Sequence, residues 1–223
     1  MISGSPIGKR HETTSFETFN VTPDNRAALD ACKRLAAGKS EGVILCGPVG
    51  TGKTHLLISA AREFDRLRTY TPEEPSGEMV EVPPMAELLA GDYATDGHAP
   101  YLGRHEIAVK VSVQYWMVLD LAKALRADAL EDGRMTEECM RCHLLVVDDL
   151  GREKESEFLR QELERIIDFR YREMLPTALA TNHKPIELYE RYGEHMMSRL
   201  RQSCEIVEVL GMDYRKEEHD EDR

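Results

Sequence analysis

The sequence predicts an α/β fold in which helices cover both faces of a parallel sheet. Two observations lead there. Short apolar runs rich in β-branched residues alternate along the chain with longer amphipathic segments, the pattern of repeated strand–helix units. One of those runs, GVILC (Gly42 to Cys46), leads directly into GPVGTGKTH (Gly47 to His55) and then into the helical THLLISAAREF. Strand, glycine-rich loop and helix in that order form the arrangement of a phosphate-binding loop.

Each element follows from local chemistry. Residues 1–14 are polar and read as a flexible segment. VTPDNRAALDACKRLAAG reads as a capped helix, with Thr22 at the N-cap, Pro23 at the first helical position and Gly38 just past the end. After the glycine loop and its helix, Pro72, Pro75, Pro83, Pro84 and Pro100 punctuate a mostly acidic stretch, so 71–106 reads as an insertion with little regular structure. Ile107 to Val113 is expected as the second strand, followed by a helix over WMVLDLAKALRAD. His143 to Asp149 is the third strand. ESEFLRQELERIIDFRYREM then spaces Leu159, Leu163, Ile166, Ile167 and Met174 along one face of a long helix. Pro176 to Asn182 and Cys204 to Val209 are the fourth and fifth strands, and residues 217–223 form an acidic tail.

The bulk properties bound the function. A chain of 223 residues, 41% hydrophobic and 31% charged, suits one soluble globular domain with a core of its own. No apolar run approaches a membrane span, and MISGSPIGKRHETTSF lacks the apolar centre of a signal peptide, so a cytoplasmic protein is expected. The five scattered cysteines suit free thiols in a reducing compartment. Cys139 to His143 matches the C-x-x-C-H haem-attachment pattern, but attachment requires export, and partly buried helix-end thiols are the simpler reading. A net charge of −12 excludes a surface that is basic all over. Nucleic acid would have to bind along a confined basic strip, for which Lys110, Lys123, Arg126, Arg134 and Arg141 are scattered candidates.

The loop matches G-x-x-x-x-G-K-[ST] in full through Gly47, Gly52, Lys53 and Thr54. Glycines let backbone N–H groups wrap phosphates at the positive end of the following helix. Gly47, Pro48, Val49, Gly50, Thr51, Gly52, Lys53, Thr54 and His55 are therefore the expected nucleotide contacts, for ATP with Mg²⁺. Lys53 would reach the β- and γ-phosphates, and the Thr54 hydroxyl would ligand the metal. LLVVDD ends an apolar strand in two acids: Asp148 would complete the metal shell, and Asp149 would orient the attacking water. Asn182, at the end of the next strand, would contact the γ-phosphate or that water. Arg199 and Arg201 lie late in the chain on an expected helix, where one could serve as an arginine finger for a neighbouring subunit; surface arginines are the plainer alternative.

Taken together, SFETFNVTPDNRAALDACKRLA, GVILCGPVGTGKTHLL, LLVVDDLG, FRYREMLPTALATN and RLRQSCEIVEVLGMDYR resemble the DnaC/IstB-type AAA+ ATPases. These are bacterial replicative helicase loaders and insertion-sequence helper ATPases. The resemblance spans residues 15–68 and 107–216. It implies an AAA+ three-layer sandwich with strand order 5-1-4-3-2 over residues 15–216, and no C-terminal lid domain. It further implies ATP hydrolysis, homo-oligomeric rings or spirals, single-stranded DNA, and a replicative helicase or transposase as partner. By the same resemblance Asn182 is the sensor residue and Arg199 the finger. A loader of this type carries an extra N-terminal domain that grips the helicase, where this chain has a short polar segment. The 71–106 insertion stands where the family has a short connection.

Overall fold

The computed structural model describes residues 2–68, 111–130, 133–211 and 213. All of them belong to one structural unit, Met1–Arg68 with Val111–Arg223. The insertion expected over 71–106, the tail over 217–223 and the front of the expected second strand, 107–110, lie outside the described residues.

In chain order the elements are β1 (Ile2–Gly4), α1 (Arg26–Ala36), β2 (Gly42–Cys46), α2 (Lys53–Arg68), β3 (Val113–Met117), α3 (Val118–Asp128) and α4 (Arg134–Arg141). They continue with β4 (Leu144–Leu150), α5 (Glu157–Arg172), β5 (Thr177–Thr181), α6 (Pro185–Ser203) and β6 (Glu205–Glu208). The sheet order is β1-β3-β4-β5-β2-β6, with every pairing parallel. Read from β6, the first five strands reproduce the expected 5-1-4-3-2. The sixth is new: Ile2, Ser3 and Gly4 pair with Val113, Gln114 and Tyr115, inside the segment read as flexible. The Ser5 hydroxyl fastens this strand by donating to Asp120 and accepting the Met117 N–H.

The strands between the two edges are buried on both faces, so they read as largely apolar runs rather than alternating ones. Ile44, Cys46, Leu145, Val147 and Leu179 enter one core with side chains from α3, α4, α5 and α6. The alternate residues Val43, Leu45, Val146, Ala178 and Ala180 are equally buried, on the face where α1 and α2 pack.

Several boundaries differ from expectation for identifiable reasons. The second strand is Val113–Met117, because Tyr115 and Trp116 are strong strand formers, Tyr115 pairing with both β1 and β4 and Trp116 with β4. The helix therefore starts at Val118. Helix α1 begins at Arg26, and Thr22 does not cap it; its carbonyl instead accepts the Asn25 and Arg26 N–H groups in a turn. At the other end Gly38, at φ +71°, closes the helix as expected: its N–H reaches the Leu35 carbonyl while that of Lys39 reaches Arg34.

Met174 is not on the buried face of α5; it lies past the helix, 59% exposed. Arg170 continues the Leu159, Leu163, Ile166, Ile167 stripe instead, only 1% exposed. Its guanidinium donates to the carbonyls of Cys139, Met140, Cys142 and Pro176, and to the Thr177 hydroxyl. It thereby clamps the end of α4 to the entry of β5. Cys139 and Cys142 are fully rather than partly buried around it, and burial pushes both thiols up, away from reactivity. Among the described residues no helix is long and apolar enough to cross a membrane.

Replacing Arg170 by alanine takes the guanidinium donor from the Cys139, Met140 and Cys142 carbonyls. Urea denaturation of Arg170→Ala is expected to give a loss of about 3–5 kcal/mol, whereas Arg172→Ala, whose side chain is 62% exposed, should stay within about 0.5 kcal/mol of wild type.

Candidate nucleotide-binding site

Parallel strands bring their C-terminal ends to one edge, and the site assembles there. The loop from Gly47 to Gly52 leaves β2 and enters α2. At Gly47 the Val209 carbonyl would lie 2.3 Å from an added Cβ, so no side chain fits. Gly52, at φ +90°, takes a left-handed conformation with the Phe19 ring 2.7 Å from where its Cβ would be. Thr51 braces the loop by donating to the Pro48 carbonyl at 3.0 Å. Lys53, 6% exposed, folds back to donate to the Gly47 and Pro48 carbonyls at 2.7 and 2.6 Å. Its ammonium is thus held within the curve of the loop.

Asp148 and Asp149 end the functional part of β4 and have opposite environments. Asp148 is 1% exposed. Its carboxylate accepts the Tyr115 hydroxyl at 3.0 Å and the Asp149 N–H at 2.8 Å, with Thr54 beside it. Burial raises its pKa above the ordinary carboxylate value, and the polar neighbours Thr54 and Tyr115 oppose that shift. Asp149 sits at φ +56°, and the β4–β5 register slips between Val147 and Leu150. This bulge, with its left-handed residue, turns the Asp149 side chain out of the sheet and into the cleft. There it pairs with Arg152 Nη1 at 3.0 Å.

The cleft, about 770 Å³, is lined by Gly50, Gly52, Lys53, Thr54, Asp149 and Asn182. Asn182 is placed by its neighbours. The Thr181 hydroxyl donates to the Leu150 carbonyl at 2.6 Å, and His183 Nε2 lies 3.2 Å from the Gly151 carbonyl. The ends of β4 and β5 are stitched together around it. Arg199 is not brought to this cleft. It stands on α6, ion-paired with Asp168 of α5, 5.9 Å from the Tyr171 ring. Arg201 is also on α6, its Nη1 3.2 Å from the Tyr189 hydroxyl. Lys123, Arg126, Arg134 and Arg141 are exposed on α3 and α4, whereas Lys110 lies outside the described residues.

Sequence reasoning missed one whole wall. Thr13, Thr14, Phe19 and Asn20 line the cleft opposite the strand ends. They are held there through the loop's last residue: His55 Nε2 is 2.8 Å from the Ser15 carbonyl, and its ring packs 5.3 Å from that of Phe19. Arg62 adds a bond to the Thr14 carbonyl at 2.6 Å. The available signal was Phe19 itself, an aromatic in a polar stretch. Arg152 was also missed, and its sequence context carries no signal.

This donor set fits a magnesium–nucleotide. The turn of the loop at Gly52 is closed to a Cβ, and a lysine ammonium lies inside it. A threonine hydroxyl and a buried carboxylate, side by side, supply the hard oxygens magnesium takes alongside phosphate and water.

Comparison with known proteins agrees with the geometry. Residues 98–222 match the family described as IstB-like ATP binding protein. The replicative helicase loader DnaC of Escherichia coli strain K12 is 22% identical over 213 residues, which cover 94% of this chain and 71% of that protein. A crystal structure of the DnaC helicase loader superposes with a TM-score of 0.66 at 18% identity, over 91% of this chain and 100% of that chain. The replication initiator DnaA bound to AMPPCP and single-stranded DNA gives 0.64 at 22% identity, over 94% and 55%. The fold is therefore the expected α/β phosphate-loop AAA+ sandwich, with one added edge strand.

The buried carboxylate makes a paired prediction. A folded-state pKa above the unfolded value means that Asp148 costs the fold stability as pH rises through that pKa. Asp148→Asn is expected to melt no lower than wild type at neutral pH, with any advantage shrinking as pH falls toward the ordinary carboxylate range. In nucleotide titrations the same variant should lose about tenfold or more of the affinity gained from magnesium.

Proposed function

Because this chain belongs to the IstB-like ATP binding protein family, we propose that it is an AAA+ ATPase acting as a homo-oligomeric ring or spiral. It would work on single-stranded DNA, loading or remodelling a replicative helicase or a transposase. The observation that carries this reading is the division of the site. Lys53, Thr54, Asp149 and Asn182 face one cleft, with Asp148 beside Thr54, while Arg199 stands outside the cleft lining. A catalytic arginine displayed away from its own cleft is suited to a neighbour's.

The roles follow from charge and position. Loop N–H groups and the positive end of α2 hold the phosphates. Lys53 exchanges its carbonyl partners for phosphate oxygens, a gain because those oxygens carry full charge. Thr54 and Asp148 hold Mg²⁺, which when bound neutralises charge on the phosphate oxygens. Asp149 orients the attacking water and accepts its proton, and Asn182 fixes that water from the adjacent strand end. Arg199 of a neighbouring subunit meets the charge that spreads over the transferring phosphate. Its pair with Asp168 is partly solvated, so releasing it costs about 1 kcal/mol or less. The Phe19 and Asn20 wall is the natural seat for the base.

The DNA and partner assignments draw support from what the relatives are called, a replicative helicase loader and an initiator bound to single-stranded DNA. Exposed basic residues on α3 and α4 offer phosphate contacts. One observation favours a second reading, a nucleotide-gated binding protein with negligible turnover: the Asp149 carboxylate is engaged by Arg152.

Steady-state ATP hydrolysis with and without single-stranded DNA separates the two. The ATPase reading expects DNA-stimulated turnover that disappears in Lys53→Ala and Asp149→Asn, and falls roughly a hundredfold or more in Arg199→Ala. Mixing Arg199→Ala with Lys53→Ala subunits should restore part of it. A fully active Arg199→Ala protein would remove the finger assignment, and ATP-dependent DNA binding without turnover would favour the second reading.

A further inference from the structure

Glu153 lies in a run of charges, Arg152-Glu-Lys-Glu-Ser-Glu157, whose composition suggests a solvated connection. Its side chain is nevertheless only 4% exposed. One carboxylate oxygen accepts the Gly151 N–H at 3.0 Å. The other accepts Arg191 Nε at 3.0 Å and the Tyr192 hydroxyl at 2.5 Å. Arg191 also donates to the Glu153 carbonyl and to the Glu155 carboxylate.

A single carboxylate therefore joins two places. One is the loop that follows Asp149. The other is α6 immediately before its break, since Gly193, at φ 83° and ψ 162°, divides this helix into two helical pieces. The same loop is bonded to the Asn182 turn through Thr181 and His183. Beyond Gly193, the second piece of α6 carries Arg199. The junction also has room to change: a groove of about 410 Å³ opens beside it, bordered by Glu153, Leu159, Tyr192 and Gly193. Around Gly193 itself, the nearest atom to an added Cβ is the mobile end of Arg160, 3.4 Å away.

We infer that Glu153 is a positioning residue that couples the nucleotide cleft to the Arg199-bearing half of α6. Movement of the Asp149 loop passes through its carboxylate to Arg191 and Tyr192, and Gly193 turns it into displacement of the second helical piece. The state of one subunit's nucleotide would in this way reach the arginine offered to the next. The inference rests on the reading of the cleft as an ATP site.

Hydrogen exchange of the full chain tests it without relying on hydrolysis. Amides over residues 190–201 are followed with and without a non-hydrolysable ATP analogue plus magnesium. In wild type the analogue should change their exchange by about fivefold or more, the lower end of typical coupling between sites. In Glu153→Gln and Tyr192→Phe the analogue should still bind, while that change is lost. A merely structural pin behaves otherwise, raising exchange equally in both states and leaving the difference intact. If Glu153→Gln fails to fold, Tyr192→Phe, which keeps both of the Arg191 ion pairs, decides. A nucleotide response retained in the variants, or absent in wild type with analogue bound, overturns the coupling. A wild-type chain that does not bind the analogue overturns the ATP reading itself.

Discussion

An acid buried at the C-terminal end of β4 constrains much of this structure. An unpaired carboxylate in such a place costs several kcal/mol, so Asp148 is tolerable only where donors are supplied. Tyr115 provides one from β3 and the Asp149 amide another from the next residue, while Thr54 on the first turn of α2 stands beside the carboxylate. Each donor sits on a different segment. The β3–β4 register and the start of α2 must therefore be right together, or the charge is stranded.

The next residue completes the strand end. Asp149 adopts a left-handed conformation in a bulge, and its carboxylate turns out into the cleft. Two adjacent acids thus acquire different surroundings, one dry and bonded to Tyr115, one half-open beside Arg152. Residues 150–153 leave the bulge directly and are tied to β5 by Thr181 and His183, and to α6 by Glu153. The cleft and the helix bearing Arg199 are consequently parts of one bonded frame. Under the metal-holding role proposed for Asp148, stability and function pull in opposite directions there, as is common where a site is held ready for a ligand.

What was legible in the sequence was local. The glycine loop announces itself because its chemistry is carried by consecutive backbone groups, and LLVVDD because a buried strand ending in acids is unusual. Strand order followed from the family resemblance. Other features depend on contacts distant in sequence, which no local pattern encodes. Arg170 looked like a polar position on α5, yet it donates to carbonyls of α4 and of the entry to β5. Glu153 looked like part of a charge run, yet its partners are 38 and 39 residues away. The N-terminal segment looked unstructured because a three-residue edge strand and a wall of threonines have no periodicity to read. Thr22 followed the N-cap rule in sequence, but a turn through Asn25 delays the helix to Arg26.

The proposal at the centre of this account is that the cleft holds everything for ATP hydrolysis except the arginine, which a second copy supplies. Its most direct test is turnover per subunit across a dilution series, with assembly state followed by sedimentation. Specific activity should rise with protein concentration and track the assembled fraction. Constant specific activity down to concentrations where the chain sediments as a monomer would contradict it.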